Sequence, residues 1–176
     1  MNKKKKNRGF SLIEIIVTIA IMAVITAGAV SIYSLINSSK LKSMAGKVND
    51  AISDVRSDTL TKEGVYGLLM RYDNTDKCCT ISFYKDGNVS NPYKKISLGK
   101  SGRYYVKDKS GNKCYLDRTD TNGLDIEFNK SDGSFSLINA TASGTAIDMD
   151  NYIYVEYSGK VKKIKLIKLT GKHYIE

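Results

Sequence analysis

From Ile15 to Ser39 the chain carries no charged residue, and nothing else in it constrains the fold as strongly. Up to about Ile36 the run is mostly Ile, Val and Ala. As a helix rising about 1.5 Å per residue, it is long enough to cross a hydrocarbon layer of about 30 Å. A secretory signal has a shorter apolar centre, about 7–15 residues, with a cleavage site behind it. Here a Gly9-Phe10 junction lies in front, preceded by Lys3, Lys4, Lys5, Lys6 and Arg8. Those cations predict a cytoplasmic N-terminus and a remainder that faces outward. One acid, Glu14, sits at the start of the apolar segment. A charge at bilayer depth costs about 2.5–3.5 kcal/mol on the lenient insertion scale, so it calls for a partner and a purpose.

Within the span, Ala23, Ala27 and Ser31 recur every four residues, which would let another helix approach closely on that face. Beyond it, Leu41, Met44, Val48, Ile52 and Val55 recur at spacings of three and four, with charged residues between them. That is the single apolar stripe of a helix lying on a domain. No strong turn signal separates the two patterns, so one continuous helix is expected from about Phe10 to about Leu60, with Gly64 as a stop.

From Val65 the signals are those of strands. Four pairs of β-branched and aromatic runs flank short polar turns: Val65–Tyr72 with Cys78–Tyr84, Arg103–Val106 with Lys113–Leu116, Leu124–Phe128 with Ser134–Ile138, and Tyr152–Tyr157 with Val161–Leu169. Such turns predict hairpins, and short connections predict an antiparallel sheet. In the last run Lys and aliphatic residues do not alternate cleanly, which suggests a bulge near Leu166-Ile167. The expected fold class is α+β: a long helix, its first half transmembrane and its second half amphipathic, packed on an antiparallel β-sheet head.

The chemistry-bearing residues are sparse. His173 is the only histidine, and no nucleophile–base set assembles around it, so it reads as a surface residue in a chain that is not an enzyme. Asp117 to Gly123 superficially suggests a calcium loop. The first ligand position, however, five residues before Gly123, holds Arg118, and Asp and Asn beside Gly suit an ordinary turn. Cys78, Cys79 and Cys114 cannot all pair within one chain and fit no zinc template. A bridge from Cys78 or Cys79 to Cys114, or buried free thiols, are both open. No metal and no cofactor is expected. The net charge of +10 invites a nucleic-acid reading, but five of the 28 basic residues precede Gly9, leaving 23 against 18 acids. Lys160, Lys162, Lys163, Lys165 and Lys168, near Tyr152, Tyr154 and Tyr157, form a basic side on the last hairpin. Such a mix can bind nucleic acid, though lysines on an outer strand more often keep a sheet soluble.

Gly9-Phe10-Ser11-Leu12-Ile13-Glu14, after a basic leader and before a long apolar helix, resembles the prepilin signature of type IV pilins and pseudopilins. The resemblance covers about the first thirty residues and implies the pilin fold. It also implies a division into a leader over 1–9, a transmembrane or filament-core helix over 10–39, an amphipathic half over 40–63, and a head over 64–176. A prepilin peptidase would cut between Gly9 and Phe10 and N-methylate Phe10. Glu14 would then pair with the terminal amine of Phe10 on a neighbouring subunit, setting axial register. The implied function is a structural pilus subunit, major or minor; a pseudopilin of a type II secretion or competence system, or a membrane-anchored minor pilin binding DNA or another ligand, are the alternatives. The implied partners are other pilins, the peptidase, the assembly platform and the membrane. The chain would be a single-pass membrane protein with its head outside the cytoplasm, and then part of a cell-surface pilus. Ser11-x-x-Glu14 also matches a capping box, a local explanation of the same acid.

Overall fold

The computed structural model describes residues 10–176, with 29–31 described by backbone alone. Helix α1 runs Leu12–Thr61 and passes through Gly28 without a break. The chain divides into two compact units, the first ending at Asn37 and the second beginning at Ser38.

In the first unit, Leu12, Ile13, Ile16, Ile19, Met22, Val24 and Ile25 are all exposed, so apolar side chains surround the helix. An apolar surface of this extent marks a segment that lipid or other helices cover. Its hydroxyls are satisfied locally: Thr18 Oγ1 donates to Ile15 O at 2.9 Å and Thr26 Oγ1 to Met22 O at 2.7 Å. Of the small-residue face Ala23, Ala27 and Ser31, the Ser31 side chain lies outside the described residues.

In the second unit, the stripe Leu41, Ala45, Val48, Ile52 and Val55 is buried in the main core. Thr59, fully buried, donates to Val55 O and faces Tyr66 O at 3.3 Å, tying the last turn to the first strand. Gly64 takes φ +105° in the sharp connection that follows, as expected of the stop.

Among the described residues eleven strands follow, and they form two antiparallel sheets rather than the single sheet expected. The first sheet has the order β3-β2-β1-β6-β7-β8. Its strands are β1 Tyr66–Asp73, β2 Cys78–Lys85, β3 Lys94–Ser97, β6 Gly123–Phe128, β7 Phe135–Ala142 and β8 Thr145–Ile147. The second has the order β11-β10-β9-β4-β5. It comprises β4 Arg103–Asp108, β5 Lys113–Tyr115, β9 Met149–Tyr157, β10 Lys160–Ile167 and β11 Lys172–Ile175. All four expected hairpins form: β1–β2, β4–β5, β6–β7 and β9–β10. The β9–β10 turn uses Ser158 at φ 50° and Gly159 at φ 76°, the left-handed pair that matches strand twist.

Two expectations fail here. There is no bulge at Leu166-Ile167: β10 alternates regularly, with Ile164 and Leu166 buried. The chain turns after Ile167 and returns as β11, which the sequence reading missed along with β3 and β8. The register shifts lie instead at Val106/Asp108 and Glu127/Phe128.

Candidate functional site

Glu14 sits in the first turn of α1. Its backbone N–H donates to Ser11 Oγ at 3.3 Å and to Ser11 O at 3.1 Å. This is one arm of a capping box. The other arm would bring the Glu14 carboxylate back to the Ser11 N–H. It is not formed, and among the described residues the carboxylate has no hydrogen-bond or ion-pair partner. Phe10, 78% exposed, precedes the helix. Gly9 and the basic leader lie outside the described residues.

Residues 4–30 match the family model of the prokaryotic N-terminal methylation motif. The chain carries the type IV prepilin signature. One long N-terminal helix with an apolar stretch, followed by antiparallel sheets, is a pilin-like architecture, and in general the motif goes with assembly alongside other pilins. Comparison with curated proteins and with solved structures found no match.

Three features of the head bear on the remaining expectations. First, the cysteines are free and buried. Alternation in β2 turns Cys79 into the core and Cys78 outward, where its Sγ lies 3.1 Å from Ser97 Oγ. Cys114, on the second sheet, donates to Thr141 O at 3.3 Å. Burial pushes the Cys79 and Cys114 thiols above their ordinary range. The bridge left open by the sequence is not formed in this structure.

Second, His173 is not an open surface residue. It is half-buried against the helix, with Nε2 2.8 Å from Ser53 Oγ and Nδ1 3.2 Å from Gly171 O. The neutral ring satisfies both contacts when Nδ1–H donates to the carbonyl and Nε2 accepts the serine hydroxyl. Burial holds its pKa below the usual histidine value. Beside it Arg56 Nε donates to Gly133 O at 2.9 Å and Nη2 to Thr170 O at 3.3 Å. One guanidinium thus fastens a turn of each sheet to the helix. Gly171, at φ +64°, allows the close approach: a Cβ there would fall 1.7 Å from Gly133 O. The residues Asp117–Gly123 make a stapled turn. Asn122 Nδ2 donates to Tyr115 O at 2.8 Å, and its Oδ1 accepts from Ser143 N at 2.8 Å.

Third, strand alternation splits the lysines of the last hairpin. Lys160 and Lys162 stand opposite Tyr157 and Val155, on the side of buried Ile164. Lys163 and Lys165 stand opposite Tyr154 and Tyr152, on the outer face. Lys168 lies beyond the strand. On that outer face Tyr105 and Tyr154 stack with ring centres 5.0 Å apart, roofed by Lys113 and Lys107 at 4.6 and 4.8 Å. The two rings are 2% and 6% exposed. The outer face of the first sheet is different. There Tyr84 crosses Gly67, and its hydroxyl donates to Asp125 Oδ1 at 2.5 Å and faces Glu127 Oε1 at 3.0 Å.

Proposed function

We propose that this chain is a structural subunit of a type IV pilus, cut between Gly9 and Phe10 and N-methylated at Phe10. In the filament the Glu14 carboxylate pairs with the terminal amine of Phe10 on a neighbouring copy. The observation that carries the reading is a carboxylate without a partner among the described residues, in an exposed apolar helix. The local cap does not account for it, because the observed bond to Ser11 uses the Glu14 backbone N–H. Attraction between the two charges is strong at low dielectric, and leaving either one unpaired is costly. Pairing therefore fixes register by penalising every other alignment.

The test follows from that separation. Glu14→Ala retains the Ser11 cap and removes only the carboxylate. Mass spectrometry of the native protein is expected to find methylated Phe10 as the first residue in both forms. Incorporation of the variant into sheared surface filaments is expected to fall by at least about tenfold, which corresponds to about 1.4 kcal/mol. Normal incorporation refutes the pairing role, and an intact leader on the functional species refutes the pilin reading. Correct processing with no wild-type chain in filaments assigns a pseudopilin instead.

A further inference from the structure

Among the described residues, the charges left without ion pairs on the two outer sheet faces of the head are mostly cationic on the second sheet and mostly anionic on the first. On the second sheet, Lys107 and Lys163 form no ion pair with any described residue; of the carboxylates nearby, Glu156 is engaged by Lys113 and Glu176 by Lys165, and Asp150 accepts from the Tyr154 hydroxyl at 2.6 Å. Both lysines lie over Tyr154, at 4.8 and 5.8 Å from the ring centre. On the first sheet, Asp125 and Glu127 share one phenol donor, Tyr84, and neither has a cationic partner among the described residues. Arg71 is on the same face, opposite Gly123 at its far end, without an ion pair to either. Burial raises the Asp125 pKa, and the hydrogen bond from Tyr84 offsets it only in part.

We infer that these faces dock on each other between copies, the Lys107–Lys163 face of one head against the Asp125–Glu127 face of the next. The contact joins two different surfaces, so it does not close on itself as a twofold dimer does, and it propagates along a row of copies. Charge complementarity selects the partner and its register. A nucleic acid is the less suitable occupant of the basic face. Base stacking needs an open ring, and Tyr105 and Tyr154 lie under the ammonium groups of Lys113 and Lys107 and are only 2% and 6% exposed.

The inference rests on the filament reading, and the experiment separates the two. The full-length chain carrying Lys163→Cys and Glu127→Cys is treated with a short bis-maleimide in native membranes and in sheared filaments. The native thiols are buried and serve as the folding check: they stay unlabelled in a folded chain. A ladder of dimers, trimers and higher species is expected from the double variant, and none from either single variant. Charge reversal gives a second readout. Lys163→Glu and Glu127→Lys are each expected to lower filament yield at least threefold, and their combination to restore it to within twofold. Absence of the ladder in a folded chain overturns the contact, as does a dimer from Lys163→Cys alone, or polyanion binding lost in Lys163→Glu without a ladder. Filament-borne chain without a ladder refutes only this contact. A ladder from chain that never enters filaments refutes only the filament reading.

Discussion

Gly67 and Tyr84 provide the sharpest test of how the head is packed. They face each other across β1 and β2, and the tyrosine ring lies over the position a side chain at 67 would take. A Cβ built on Gly67 falls 2.3 Å from Cζ and 2.4 Å from Oη of Tyr84. Ordinarily Gly to Ala inside a strand stabilises by about 0.5–1 kcal/mol, because glycine loses more backbone freedom on folding. Here the ring must move. Forced displacement in a packed site costs about 1–3 kcal/mol. Moving the hydroxyl off Asp125 and Glu127 sacrifices a bond to a charged acceptor, worth about 1.5–3 kcal/mol. Gly67→Ala is therefore expected to destabilise by about 2–5 kcal/mol. In a Tyr84→Leu background the obstruction is gone, and the same substitution is expected to be neutral or to stabilise by up to about 1 kcal/mol. Urea unfolding of the detergent-solubilised chain, followed by near-ultraviolet dichroism of its 12 tyrosines, measures both legs of the cycle. An equal cost in the two backgrounds refutes the argument, because the strain would then lie in the backbone and not in the ring.

Other expectations follow from the fastening of the sheets to the helix and from the cysteines. Arg56→Met keeps the apolar stem but loses the bonds to Gly133 O and Thr170 O, and is expected to cost about 2 kcal/mol in the same unfolding assay; an unchanged midpoint refutes the fastening role. The folded His173 pKa lies below its ordinary value of about 6.5, so the unfolded chain takes up the proton first. Its contribution is complete above about pH 6.5 and is lost as pH falls toward the folded pKa. Wild type is thus expected to lose stability relative to His173→Gln below about pH 6.5, and an equal or larger loss in the variant refutes this. Because all three thiols are buried, with those of Cys79 and Cys114 pushed up, alkylation of the native head is expected to be far slower than in denaturant. Rapid native labelling of Cys79 would contradict its place in the core.

What the sequence determined by itself was everything governed by local period and local chemistry. The charge-free run, the amphipathic stripe from Leu41 to Val55, the four hairpins and the prepilin signature at Gly9 to Glu14 all depend on neighbours a few residues apart. Short edge strands escaped, because Lys94–Ser97, Thr145–Ile147 and Lys172–Ile175 have almost no pattern of their own and exist only where a longer strand offers hydrogen bonds. The partition into two sheets escaped for a related reason. That β6 lies beside β1 and β9 beside β4 depends on which apolar faces meet across a shared core, a long-range choice. Alternation then decided functional placement. It separated Lys163 from Lys162, turned Cys79 inward and Cys78 outward, and set the half-buried Asp125 and Glu127 on one outer face with a single phenol between them. It also brought His173 to Ser53, 120 positions away, a contact that only tertiary packing makes.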